Sequence, residues 1–136
     1  MMNPPGWCAK YVGLPYCDKG RSREGFDCWG LVRHVLADEF GIHGLPDYVN
    51  EYSSASDRES VTKIVCSGKA DGWKQVAVPN PGSVVILQIA GHPWHCGVVV
   101  NAEWMLHTLK GVDVCLERLD SPVWRNRIEG FYQYVG

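Results

Sequence analysis

Gly25-Phe26-Asp27-Cys28-Trp29-Gly30-Leu31-Val32, running on to Phe40, is the stretch around which the rest of the chain can be read. From Cys28, the apolar residues Leu31, Val32, Val35, Leu36 and Phe40 recur at i, i+3, i+4 spacing, the pattern of a helix with one buried stripe. Arg33, His34, Asp38 and Glu39 fall mostly off that stripe, and Gly41 is a natural stop. Asp27 is a good N-cap, which puts Cys28 in the first turn on the apolar side. Unpaired amides and the positive end of the helix dipole there favour a thiolate over a thiol. A loop of glycine and charge, Asp18 to Gly25, precedes the helix and predicts that the sulfur faces a cleft. Taken alone, Cys28 also reads as one more core cysteine.

Toward the N-terminus, residues 5 to 13 are expected to form a short helix with Pro5 near its start and Gly13 at its end. Leu14-Pro15-Tyr16 is extended, because a residue before proline avoids the helical region. Downstream, Gly41 to Ser56 has the composition of a surface loop. Ser56-Asp57-Arg58-Glu59 then has capping-box spacing, and Val61, Ile64 and Val65 predict a short amphipathic helix ending near Gly68. After Pro79-Asn80-Pro81-Gly82 the character changes. Val84 to Ile89, His95 to Asn101, Trp104 to Leu109, Val112 to Leu119 and Ile128 to Val135 are β-branched or aromatic, with turn signals between them. Helices followed by about five strands at hairpin spacing predict an α+β fold with an antiparallel sheet. No repeat or linker divides the chain, so residues 1–136 are expected to be one domain.

The 136 residues are 46% hydrophobic and 21% charged with a formal charge of −2, the balance of a soluble globular protein and not of a nucleic-acid surface. The Arg and Lys residues of 19 to 23 and 118 to 127 read as solvated faces. Six cysteines (Cys8, Cys17, Cys28, Cys66, Cys96, Cys115) lack zinc-finger spacing. Cys66 and Cys115 sit in apolar runs and read as reduced core thiols, while the sequence leaves open whether Cys8 and Cys17 pair. No run approaches the roughly 18 apolar residues of a membrane span, and the N-terminus lacks a basic and then apolar leader. The expectation is synthesis in the cytoplasm and exit by lysis or inside a particle.

A cysteine nucleophile needs a base and something to orient that base. Of five histidines, His34 is on the polar side of the helix, His43 is in a loop and His92 is in a turn beside Gly91 and Pro93. His95 opens one predicted strand and His107 lies in the next, and a turn near Asn101 to Glu103 would bring both rings to one end of a hairpin. Register decides whether they share a face, and it is not fixed by sequence. A zinc pair with Cys96, or satisfied polar groups at a sheet edge, are the other readings. Cys96 alternates away from His95, which counts against zinc. A thiolate on a helix N-terminus facing imidazoles on a sheet is the arrangement of papain-like peptidases.

The ordered motifs extend this. Tyr11-Val12-Gly13-Leu14-Pro15-Tyr16, Gly25 to Val32, Pro81-Gly82-Ser83-Val84-Val85, His95-Cys96-Gly97-Val98-Val99 and Leu106-His107-Thr108 together resemble the NlpC-type family of papain-like cell-wall cysteine peptidases over Tyr11 to Val135. The resemblance implies Cys28 as nucleophile, His95 as base and His107 as its orienter. It also implies Tyr16 beside the Cys28 amide at the oxyanion or substrate, with Asp27 and Trp29 on the substrate-binding or oxyanion side. The implied substrates are peptidoglycan stem peptides, cut after γ-linked D-Glu and before a diamino acid, with no metal or other cofactor. Trp29 stands where the family usually has Ser, Ser83 where it has Asp, and Cys96 where it has an apolar residue. Asp27 to Arg33 and Pro122-Val123-Trp124-Arg125-Asn126-Arg127 resemble members found with phage tails and gene-transfer particles, which makes phage tail proteins expected partners. The alternatives are a structural tail-assembly protein that keeps the fold, and a cell-wall amidase or acyltransferase on a related scaffold.

Overall fold

A computed structural model describes residues 2–50 and 72–136. The long helix, α1 (Cys28–Phe40), starts where the Asp27 side chain accepts the Gly30 N–H at 2.8 Å. It stops where Gly41 takes a left-handed φ of 68°, a conformation glycine adopts at no steric cost. Leu31, Val32, Val35 and Leu36 are its fully buried stripe. The predicted N-terminal helix is a single 3₁₀ segment, Gly6–Lys10. Pro5 caps it, and Cys8 is its one buried residue.

The loop of glycine and charge is more ordered than its composition suggests. Strands β1 (Arg21–Ser22) and β2 (Gly25–Phe26) form a small antiparallel ribbon, and Tyr16 bridges to Phe26 beside it. The ribbon lies directly on the first turn of α1. A Cβ on Gly30 would sit 1.9 Å from the Gly20 carbonyl oxygen, so a glycine is what lets the two backbones meet.

Among the described residues six strands, not five, make the main sheet: β3 (Trp73–Val76), β4 (Val84–Ile89), β5 (His92–Val99), β6 (Trp104–Leu109), β7 (Val112–Arg118) and β8 (Ile128–Tyr134). Their order is β3-β8-β4-β5-β6-β7, with every neighbouring pair antiparallel. The added strand, β3, pairs with the outer side of β8. Strand β5 begins at His92, three residues before the expected start, because Ala90 and Gly91 both take positive φ and close a tight hairpin. Pro93 is accommodated at a β-bulge: the β4–β5 register shifts between Leu87 and Gln88, which is where a proline can sit without breaking the ladder.

Helix α1 covers one sheet face, in a cluster with Val84, Ile86, Cys96, Val98, Leu106 and Val114. The other face buries Val85, Leu87, Val99 and Met105 beneath Leu119 and Trp124, which come from the connection between β7 and β8. The predicted capping box at Ser56 to Glu59, the helix ending near Gly68 and Cys66 lie outside the described residues. No helix among the described residues is long and apolar enough to cross a membrane.

Candidate active site

Cys28 is buried at the N-terminal end of α1. The element beneath it is pinned from both sides. Asp27 is itself buried, and its Oδ1 accepts from Gly30 N and from Arg21 Nη1, each at 2.8 Å. The Arg21 guanidinium also donates to the Asp47 carbonyl, at 2.6 Å from Nη2, tying the ribbon and the loop after α1 to the same point.

His95 and His107 lie on the sheet face away from α1. In register, His95 is opposite Leu87 and His107 is opposite Cys115. His107 reaches across Gly97, where a Cβ would lie 3.2 Å from the His107 Cβ. The glycine of His95-Cys96-Gly97 therefore makes room for the second imidazole. The two rings meet with Nε2 of His95 2.9 Å from Nδ1 of His107. Strands β5 and β6 pair only at Val98–Leu106 and Val99–Met105. Toward the His95 end they part, and a cleft of about 30 Å³ opens, lined by Tyr16, Cys28, Trp94, His95, Thr108, Leu109 and Lys110. Through that opening the sulfur on the helix side meets the imidazole from the other side.

The positions of the protons follow from the partners. His107 Nε2 is 2.8 Å from Oε2 of Glu117, which also accepts the indole N–H of Trp124. A carboxylate only accepts, so His107 carries its proton on Nε2. Burial, and then the neighbouring His95, push His107 down to about 4 against the pull of Glu117, so the ring is neutral near pH 7 and its Nδ1 is a lone pair. His95 must then donate from Nε2. That leaves Nδ1, which has no hydrogen-bond partner among the described residues, as the basic nitrogen of a ring that lines the cleft with Cys28. This is the tautomer a general base needs.

The Cys28 thiol is held well below its ordinary range. A hydrogen bond from Cys96 is the main cause, the His95 ring adds to it, and burial opposes both. Cys96 stands on the helix side of β5, as alternation from His95 requires, and its own thiol is pushed up by the same contact.

Cys28, His95, His107 and Tyr16 come together. Tyr16 lines the cleft, but its hydroxyl donates to Asp18 at 2.7 Å, and burial and that bond together raise it above the usual phenol range. Asp27 and Trp29 are not among the residues lining the cleft. Asp27 is taken by the helix cap and Arg21. Trp29 donates its indole N–H to the Pro46 carbonyl at 2.9 Å and packs between the Tyr48 and Trp73 rings. His34 lies away from the site, against Phe26 and Tyr11. Cys8, Cys17, Cys28, Cys96 and Cys115 are all free thiols. Cys115 is half-buried on the polar face beside His107 and Glu117, not in the apolar core expected for it.

Sequence reasoning missed Glu117, Trp124 and the part played by Cys96. A signal existed for Glu117: Cys115 and Glu117 alternate on one face of β7. It became usable only once the register against His107 was known.

The sequence profile of the NlpC/P60 family matches residues 13–133. The chain is 24% identical over 128 residues to a γ-DL-glutamyl hydrolase of Bacillus subtilis, covering 92% of this chain and 27% of that protein. It is 28% identical over 100 residues to tail tip assembly protein K of Escherichia phage N15, covering 72% of this chain and 41% of that protein. The chain thus spans less than half the length of either relative. Its fold is similar to that of an NLP/P60-family, lipoprotein-like protein from Staphylococcus aureus, with a TM-score of 0.65 at 21% identity over 95% of this chain and 39% of the other. It is also similar to the NlpC/p60 domain of the peptidoglycan hydrolase SagA, with a TM-score of 0.60 at 19% identity over 93% and 91% of the two chains.

Proposed function

The chain belongs to the NlpC/P60 family, and from that premise we propose that it is a cysteine endopeptidase that cuts peptidoglycan stem peptides at the bond between γ-D-Glu and the diamino acid. The observation that carries this reading is the series Cys28–His95–His107–Glu117, in which Glu117 sets the proton positions on both imidazoles and the His95 ring lies beside the sulfur. In the first step Cys28 attacks the scissile carbonyl carbon while His95 Nδ1 holds the proton it has taken from the sulfur. The amides at the start of α1 face the developing oxyanion, with Tyr16 able to join them only by turning its hydroxyl from Asp18. As the tetrahedral species collapses, His95 gives the proton to the leaving amine and a thioester remains on Cys28. Water, deprotonated by His95, then releases the acid and restores the thiol.

Support for a γ-glutamyl bond comes from the Bacillus subtilis relative, a γ-DL-glutamyl hydrolase by name. The γ-linkage leaves the glutamyl α-carboxylate free, and Lys110 on the cleft rim offers it a cation. The phage N15 relative, a tail tip assembly protein by name, supports a tail protein as partner; delivery by the particle or by lysis is part of the same proposal. It also favours the second reading, a tail-assembly protein that keeps the fold without the chemistry.

Digestion of purified sacculi by the wild type and by Cys28→Ala under reducing conditions, with mass analysis of the fragments, tests this. The expected result is stem fragments ending in γ-D-Glu from the wild type and none above background from Cys28→Ala. No fragments from either, with a tail protein bound equally by both, would overturn it in favour of assembly. Intact stem peptides freed from the glycan would identify an amidase instead.

A further inference from the structure

Beside the relay, the outer face of the β6–β7 hairpin gathers three metal-type donors that hydrolysis employs only in part. His107 is opposite Cys115 in register, and Glu117, two residues along β7, points to the same side. The His107 imidazole nitrogen, the Cys115 sulfur and a Glu117 oxygen all lie within 4.8 Å of one another. Nitrogen, sulfur and oxygen donors of this kind bind zinc at about 2.0–2.3 Å, which sets tetrahedral ligands roughly 3.3–3.8 Å apart, so small side-chain adjustments suffice. The supporting shell is in place. His95 fixes His107 through Nδ1, the Trp124 ring stands edge-on to it at 5.3 Å, and the Trp124 indole N–H holds the Glu117 carboxylate. The Glu117 side chain is 38% exposed and Cys115 is half-buried, which gives an ion a path from solvent.

We propose that His107, Cys115 and Glu117 form a binding site for Zn²⁺ or a similarly soft divalent cation, and that its occupancy turns the neighbouring base off. The binding stands on the donors alone; the switch rests on the hydrolase reading above. Neutral His107 has a single ring proton. A metal on Nε2 takes the lone pair there, so that proton resides on Nδ1 and is donated to His95 Nε2. His95 then keeps its own proton on Nδ1 and has no lone pair with which to accept another. Binding also expels the Cys115 thiol proton to solvent. When the metal leaves, Cys115 is reprotonated and both imidazoles return to the active tautomers.

Cobalt(II) is the probe, because thiolate ligation gives an intense near-ultraviolet charge-transfer band. The titration is made on the Cys28→Ala protein, in which the nucleophile cannot be the ligand. One equivalent should bind with that band, zinc should displace it, and adding Cys115→Ser should remove the band and weaken binding about 10- to 100-fold. Glu117→Gln gives a second variant, and the melting temperature of each metal-free protein shows that it is folded. Absence of binding by folded Cys28→Ala protein, or binding unaffected by Cys115→Ser, overturns the site. In the wild type, zinc should abolish muropeptide cleavage and a chelator restore it, whereas Cys115→Ser should keep its own zinc-free rate. Equal inhibition of both would place the metal at Cys28 and overturn the switch. A wild type inactive without any metal would defeat the hydrolase reading and leave the cobalt result to be judged by itself.

Discussion

The two faces of the sheet are buried by different means. On the α1 side, Val84, Val98, Leu106 and Val114 pack with Leu31, Val32, Val35 and Leu36 in an apolar layer that needs only the right shapes. On the far side, a smaller apolar cluster around Val85, Leu87, Val99 and Met105 accompanies His95, His107 and, at the rim, Glu117. Those polar groups are tolerated there because, among the described residues, each ring nitrogen but one has a partner, and the exception belongs to His95, the ring that lines the cleft with Cys28. Under the proposed function, the first face carries stability and the second carries chemistry. Cys28 belongs to the first by its helix and to the second by its reactivity.

Substitutions on the two faces should separate these roles. The largest effect is expected from His95→Ala: kcat should fall by about 10²–10⁴-fold, or roughly 3–5 kcal/mol of barrier, with the protein still folded. Unfolding of that variant at the same temperature would show that the second face is structural after all. Leu31→Ala should do the reverse, lowering stability in urea by about 2–5 kcal/mol while the folded fraction keeps its kcat. A lost kcat with an unchanged midpoint would collapse the distinction.

Glu117→Gln is a subtler probe. It replaces a charge-assisted bond to His107 with a neutral one that can either donate or accept, so the tautomer is no longer dictated. A fall in kcat of about tenfold at unchanged KM is expected, whereas a change confined to KM would mean that Glu117 touches substrate. The smallest effect should come from Cys96→Ala, read as the pH profile of Cys28 alkylation. Only the thiolate reacts, so the rate falls as pH drops through the thiol's pKa. With the Cys96 donor in place that inflection lies below the usual thiol range, and without it the inflection should move up toward that range. An unmoved inflection would assign the depression to His95 and the helix end alone.

What could be read from sequence followed the range of the interactions involved. Helix α1, its Asp27 cap and its Gly41 stop depend on neighbours within a turn or two, and the structure places each at its expected position. Four of the five expected strands also fall within about a residue of where alternation puts them. The fifth starts early because a tight Ala90-Gly91 hairpin and a bulge at Pro93 look like plain turn residues in one dimension. Strand β3 escaped because a four-residue segment becomes a strand only when the distant β8 offers an edge to pair with. Trp29 and Asp27 show the same limit, since nothing local reveals that Pro46 and Arg21 occupy them.

By itself the sequence determined that a cysteine begins a capped helix and that two histidines follow on neighbouring strands, because helix caps and strand alternation are set by nearest neighbours in the chain. Only the tertiary structure decided that both imidazoles share a face, that Gly97 leaves room between them, and that Glu117 and Trp124 complete the relay. Those outcomes depend on strand register and on the parting of β5 from β6. Register is fixed by how whole faces pack, and a slip of one residue would have turned every one of these side chains the other way.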